Sequence, residues 1–212
     1  MSLLNLTNPW PGITAADYEA HMSHPDVLQL QALNSIFQSQ YEDYLPETLL
    51  YIGICTGNGL EHVRPEVTRT VYGIDINEHF LNLCTARYGE KIGSLQTRCL
   101  DLNHEYFSEA TVDLVVVNLV LEFIDIERFI GQLRQVMKKG TIVSIVFQVR
   151  HDAPRISSSG VKAMEVLSGF KQEVDRKFLE KQLLRAGLVR IREQNRFMSD
   201  GKELVRIDFR NT

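Results

Sequence analysis

The residues "LLYIGICTGNG", from Leu49 to Gly59, run from apolar and β-branched side chains straight into three glycines, Gly53, Gly57 and Gly59. Glycines after a strand let the backbone turn tightly and approach a ligand with no Cβ in the way. Asp75 follows in "YGIDIN", 22 positions after Gly53, and Asp101 in "CLDLN". A carboxylate at the end of the next strand can accept hydrogen bonds from both hydroxyls of a ribose. Asp101, at the end of the strand after that, is placed to accept from an exocyclic adenine amine. Each acid alone could equally be a cap or turn residue. Two of them at successive strand ends beside one glycine turn point to an adenosine-containing ligand.

The spacing excludes some ligands of that kind. No Gly-Lys-Ser/Thr follows the glycines, so this is not a P-loop. The pattern is GxxxGxG rather than GxGxxG, and His62 stands where the last glycine of a frame starting at Gly57 would fall. A dinucleotide would also need a second mononucleotide half, and the closing hairpin described below argues against one. His21 and His24 are three apart but lack further obvious ligands, so no metal site is expected. Cys55, Cys84 and Cys99 form no CxxC pair, and an odd number without a framework reads as reduced and cytoplasmic. The formal net charge of −4 makes DNA or RNA an unexpected partner. The apolar run from Val112 to Ile124 is interrupted by Asp113, Asn118 and Glu122 and is too short to span a bilayer. The start, "MSLLNLTNPWPG", has neither a basic n-region nor a long apolar h-region and does not read as a signal peptide. Nothing in the pattern speaks to oligomeric state.

The elements that must hold these residues follow from periodicity. A length of 212 residues suits one domain, or one domain with an added lid. Residues 1–14 read as irregular, with Pro9, Pro11 and Gly12 as breakers. Residues 15–24 suit a short helix with Tyr18 and Met22 on one face. A stronger helix follows, with Ser23 as its cap, Pro25 in its first turn and an apolar stripe of Val27, Leu30, Leu33, Phe37 and Tyr41. From Leu49 strands and helices alternate. "LLYIGI", "TVYGIDI", "SLQTRCL", "VDLVVVN" and "TIVSIVFQV" read as strands, with helices capped by Asn77 and by Asp125, the latter ending at "KKG". "SSSG" marks a loop, Asp175 to Ala186 reads as a helix, and Asp200-Gly201 between two alternating runs signals a hairpin. The expected fold class is α/β, a doubly wound, mostly parallel sheet with a C-terminal antiparallel hairpin strand and an N-terminal helical lid.

From about Leu45 onward the chain resembles the class I S-adenosylmethionine-dependent methyltransferases, particularly the small bacterial methyltransferase-domain type. "LLYIGICTGNG" is similar to that family's glycine motif, "VYGIDIN" to its second-strand acid motif and "CLDLN" to its adenine-contacting motif. "VDLVVVNLVLEFI" and "LRQVMKKGTIVSIVF" resemble its later motifs. "DYEAHM" resembles the lid segment of some small members. The resemblance implies a seven-stranded Rossmann-like sheet whose last strand is antiparallel. It divides the chain into a lid, residues 1–44, and a cofactor-binding domain, residues 45–212. It also implies roles. Gly53, Cys55 and Gly57 would line the methionine part of the cofactor. Asp75 would bind the ribose with Ile76 on the adenine, and Asp101 and Leu102 would hold the adenine edge and face. Asn118 would lie beneath the sulfonium, with Tyr18 and Met22 facing the pocket from the lid. Tyr51 stands where the family usually has an acid, Cys55 where it has its central glycine, Lys139 where it has a proline, and Phe123 where many members have a histidine.

The implied function is methyl transfer from S-adenosylmethionine, leaving S-adenosylhomocysteine, to a small-molecule acceptor. The alternative is a cofactor-binding module without transfer activity that acts through a protein partner. The fourth strand runs into "NLVLE" rather than Asn/Asp-Pro-Pro-aromatic, which argues against exocyclic DNA nitrogens and glutamine amides as acceptors. No catalytic base stands out. His21, Glu122 and His151 are candidates by location alone, and Arg150, His151 and Arg155 could favour an anionic substrate.

Overall fold

A computed structural model describes residues 8–151 and 153–212; residues 1–7 of the segment read as irregular lie outside that range. The central strands are Thr48–Ile52 (β1), Thr70–Asp75 (β2), Leu95–Cys99 (β3), Val112–Asn118 (β4) and Met137–Arg150 (β5). Leu188–Phe197 (β6) and Lys202–Asn211 (β7) close the chain. The helices are Ala15–Ser23 (α1), Gln29–Tyr44 (α2), Glu78–Tyr88 (α3), Ile126–Val136 (α4), Lys162–Glu165 (α5) and Arg176–Arg185 (α6). One seven-stranded sheet runs in the order β3-β2-β1-β4-β5-β7-β6. β1 to β5 pair in parallel, and β7 inserts antiparallel between β5 and β6. The fold class is the one expected, including the turn at Asp200-Gly201, where Gly201 takes φ +81°.

Alternation along the strands builds two cores. Leu50, Ile52, Val115, Val117, Val143 and Ile145 face α4 and α6 through Phe129, Leu133, Leu179 and Leu183. Leu49, Tyr51, Leu114 and Val116 point the other way, against Phe37 and Tyr41 of α2 and Leu81 and Cys84 of α3. Strands covered on both faces must be apolar at successive positions, which is why "TLLYI" and "VDLVVVN" lack a polar face. A third, smaller cluster packs Tyr18 and Met22 of α1 with Leu33, Phe80, Met164 and Leu167, under α1 and the segment after β5.

Two local expectations fail. Ser23 does not cap α2. It is the last residue of α1, where its hydroxyl donates to the Glu19 carbonyl at 2.6 Å, and Thr14 caps α1 instead through the Asp17 N–H. Pro25 therefore lies in the turn between the helices, and α2 starts after Leu28, whose φ is +50°. The "KKG" stretch does not end α4 either. The helix stops at Val136, and Lys138–Gly140 bulge within β5, between the pairs Val112–Met137 and Leu114–Ile142. The Thr141 hydroxyl donates to the Val112 carbonyl at 2.6 Å and receives the Lys138 N–H, so the bulge supplies its own hydrogen bonds.

Candidate functional site

The strand order reverses between β1 and β4, and a cavity opens beyond their carboxyl ends. That is where an open α/β sheet binds its ligands. Nine of the ten residues singled out in the sequence line this one cavity: Gly53, Cys55, Asp75, Ile76, Asp101, Leu102, Asn118, Tyr18 and Met22. Gly57 is not among the lining residues. A Cβ there would stand 2.7 Å from the Tyr88 ring and 2.9 Å from the Cys84 sulfur, so this glycine makes room for α3. Gly53 does line the cavity, with φ +68°, and a Cβ on it would meet Val120 Cγ2 at 2.3 Å. Its bareness serves packing against the chain after β4 as well as access to the cavity.

Asp75 is held by its own turn. The Cys55 N–H donates to Oδ2 and the Asn77 N–H to Oδ1, both at 2.9 Å. Burial keeps its carboxyl above the usual carboxylate range, against those backbone donors. A carboxylate offers about four acceptor directions, and the two backbone bonds leave others for a pair of hydroxyls. The helix cap at this point is Asn77, which receives the His79 and Phe80 N–H groups. Its amide also donates to the carbonyls of Trp10 and Ile13, which ties the entry to α1 onto the second strand–helix turn. Asp101 serves its turn too, receiving the Asn103 N–H at 2.9 Å and lying 2.9 Å from His104 Nδ1.

Asn118 lines the cavity, but its side chain is committed. It exchanges two 3.0 Å hydrogen bonds with the amide of Gln40. Gln40 donates on to Ser144, Ser144 to Asp208, and Arg206 and Tyr44 also donate to Asp208. A buried polar chain thus fixes the strand end from behind. Tyr51 stacks on Phe37 with centroids 5.0 Å apart, and burial pushes its phenol well above the ordinary range. This aromatic pair is what the departure at Tyr51 puts beside the glycine turn.

The glycine turn and α1 are joined by Glu19. Its carboxylate receives the Thr56 hydroxyl at 2.7 Å and a forked contact from Arg87 of α3. Tyr18 of α1 packs against Trp10 and Phe80 and forms part of the cavity wall.

The far end of the cavity was only partly visible in the sequence. His21 lines it, pairs with the Ser159 hydroxyl at 2.7 Å, and is held down to about 4 by burial. Such an imidazole is neutral near pH 7. Glu122 and His151 do not line the cavity. Glu122 is buried behind it, receives the Gln148 N–H on Oε1 at 3.0 Å, and has no partner for Oε2 among the described residues. His151 lies against Glu203 at 2.9 Å. Arg150 is taken by Glu173 and the Ala153 carbonyl, and Arg155 donates to the carbonyls of Ser168 and Lys171. The lining cation is instead Lys171, joined by Gln29, Leu33, Phe123, Ile156, Met164 and Leu167. A run such as "GFKQE" carries no signal for this, because the lysine is placed by tertiary contacts. The described residues contain no group of three or more possible metal ligands and no helix long and apolar enough to cross a membrane.

Residues 50–145 match the family model described as "Methyltransferase domain". No curated protein matches the chain in sequence. Among solved structures, the N-methyltransferase NodS from Bradyrhizobium japonicum WM9, in complex with S-adenosyl-L-homocysteine, superposes with a TM-score of 0.66 at 15% identity, covering 93% of this chain and 97% of that one. Geranyl diphosphate C-methyltransferase from Streptomyces coelicolor A3(2) gives 0.65 at 12% identity, over 95% and 86% of the two chains. The [4+2]-cyclase SpnF gives 0.66 at 14% identity, over 85% and 82%. These likenesses are of fold.

Proposed function

We infer that the chain is a class I methyltransferase, a reading its family match and its fold support, and that it uses S-adenosylmethionine to methylate a small molecule. Its three cysteines are unpaired, in keeping with a reducing, cytoplasmic setting. The single observation that carries the cofactor reading is Asp75. It is a buried carboxylate at the end of β2, oriented by two backbone N–H groups and facing the cavity beside the glycine turn.

The residues present fit that cofactor. Asp75 would receive the ribose hydroxyls, Ile76 and Leu102 would pack on the adenine faces, and Asp101 would receive its amine. Gly53 and Cys55 would pass beneath the methionine portion, with the β4 end at Asn118 near the sulfonium. Bound there, S-adenosylmethionine supplies an electrophilic methyl group. An acceptor that carries a proton would lose it to solvent or to a base. The chain's work is alignment and exclusion of water. We read α1 and its approach as a lid: Trp10, Tyr18 and Met22 close the cavity, and Glu19 and Asn77 hold them down. No side chain lining the cavity is assigned as the base. His21 is neutral but bonded to Ser159.

Isothermal calorimetry with S-adenosylmethionine and S-adenosylhomocysteine, then a methyl-transfer screen, tests this reading. Absence of binding by either at millimolar concentration refutes it. Tight binding without turnover across broad acceptor panels would favour a binding module that acts through a protein partner.

A further inference from the structure

Among the described residues that line the cavity, Lys171 is the only lysine or arginine. Lys171 is 9% exposed, and its ammonium makes one hydrogen bond, to Gln148 Oε1 at 3.1 Å. That acceptor is a neutral amide oxygen, which also receives Gln29 Nε2 at 3.2 Å. Burying an ammonium against one neutral acceptor is unfavourable unless an anion completes its shell. Within the chain, Lys171 makes no ion pair among the described residues. Glu122 lies behind it and attracts it, but burial raises that carboxyl and lowers the lysine, which disfavours the charged form of each, and the two make no ion pair.

The lysine is nonetheless held in place. Its N–H donates to the Leu167 carbonyl at 2.8 Å, its own carbonyl receives Arg155, and its ammonium lies 5.9 Å from the Phe123 ring centroid. Around it the walls are apolar: Met22, Leu33, Ile156, Met164 and Leu167. We propose that the methyl acceptor is a compact, largely apolar molecule bearing a single carboxylate, and that Lys171 and Gln29 hold that carboxylate at the far end of the cavity. One ammonium with no arginine fork beside it suits a monoanion better than a phosphate dianion. The proposal rests on the methyltransferase reading for the word acceptor, but the anion site stands or falls by itself.

The test uses matched probes on the full chain. S-adenosylhomocysteine affinity is measured first by calorimetry, for the wild type and for Lys171→Met and Lys171→Arg. Then, with S-adenosylhomocysteine present, 4-phenylbutyrate, its amide, its amine analogue and phenylbutyl phosphate are titrated. The acid is expected to bind at least ~10-fold more tightly than the amide, a difference of about 1.4 kcal/mol, and more tightly than the amine or the phosphate. Lys171→Met should erase that preference and Lys171→Arg should keep part of it, both with unchanged S-adenosylhomocysteine affinity. Lys171→Met leaves Gln148 Oε1 its bond from Gln29, and a thermal melt checks that the variant is folded. Equal binding of acid and amide overturns the proposal, as does a preference that survives Lys171→Met or no binding of the acid at millimolar concentration. Tighter binding of the phosphate overturns the monoanion. A roughly tenfold loss of S-adenosylhomocysteine affinity in Lys171→Met would reassign the lysine to the cofactor's own carboxylate and also overturn it. If S-adenosylhomocysteine fails to bind while a Lys171-dependent preference for the acid remains, the methyltransferase reading falls and the anion site stands.

Discussion

At one end of the cavity, Gly53, Asp75 and Asp101 arrive from the ends of three successive strands, β1, β2 and β3. At the other, Gln29 and Lys171 arrive from α2 and from the segment after β5, and both donate to Gln148 of β5, which does not line the cavity. The first end is built by local rules. Each acid is fixed by backbone N–H groups within a few residues or across one strand, so the motif carries its own geometry. The second end exists only after the chain has folded, because its polar groups find one another over long separations. The difference teaches that the strand-end turns are committed by sequence, whereas the far end depends on side chains whose meaning is tertiary.

The largest expected effect is at Gly53, where the two influences on the first end can be separated. Gly53→Ala must adopt φ +68° and place its Cβ 2.3 Å from Val120 Cγ2. A destabilisation of roughly 3 kcal/mol is expected by chemical denaturation. Adding Val120→Ala removes the clash and should recover part of that loss. If the backbone also approaches the cofactor, the double variant stays impaired in S-adenosylhomocysteine binding. Wild-type affinity in the double variant would mean that Gly53 serves packing alone.

The same contrast explains what could be read in advance. The alternation of strands and helices, the Asn77 and Asp125 caps and the Asp200-Gly201 turn are short-range chemistry, and all appear in the structure. Ser23 was misread because two helices meet there: it ends α1, which Thr14 caps, and α2 starts after Leu28 with no side-chain cap. "KKG" looked like a helix end because a glycine with positive φ serves a strand bulge equally well. Asn118 was expected at the cavity and does line it, but the hold on its side chain by Gln40, 78 positions away, carries no local signal. The cationic character of the far end was expected from Arg150, His151 and Arg155, and is supplied by Lys171 instead. The first three find carboxylates and carbonyls nearer to hand.

Next in size is the comparison of the two acids. Asp75→Ala should weaken S-adenosylhomocysteine binding by roughly 1–3 kcal/mol, because buried hydroxyls lose their acceptor. Asp101→Ala should cost less, about 1 kcal/mol, since its carboxylate is more exposed and already engaged by Asn103 and His104. Calorimetry on both variants ranks them. A larger effect at Asp101 would reverse the assignment of the ribose acid, and no effect at Asp75 would remove it.

At the far end, pH provides a smaller test. Burial, aided by Lys202, His24 and Lys171, lowers His21 from 6.5 to about 4. The folded imidazole stays neutral where the unfolded one takes a proton. Stability from this residue is therefore complete above pH 6.5, falls as the pH drops from 6.5 towards 4, and changes no further below that. The decline attributable to His21 should be on the order of 1–2 kcal/mol, and His21→Asn should flatten it. Denaturation midpoints measured across that interval decide the matter. A slope that persists unchanged in the variant would place the titrating group elsewhere.

The smallest expected effect bears on the boundary between the two ends. Cys55 is a non-glycine residue at φ +49°, in the glycine turn, with its side chain beside Tyr18 and its N–H on Asp75. The left-handed conformation costs an L-residue about 1–2 kcal/mol. A glycine would recover this but give back about 0.5–1 kcal/mol of chain entropy, together with the buried contacts of the thiol. The two sides nearly cancel, so Cys55→Gly should move stability by less than about 1 kcal/mol. Affinity need not follow stability. Removing a Cβ and sulfur from the cavity wall frees space where the methionine portion would lie, and S-adenosylhomocysteine should bind a few-fold more tightly by calorimetry. Weaker binding with unchanged stability would make the thiol itself a contact, and the glycine turn would then depend on a side chain as the far end does.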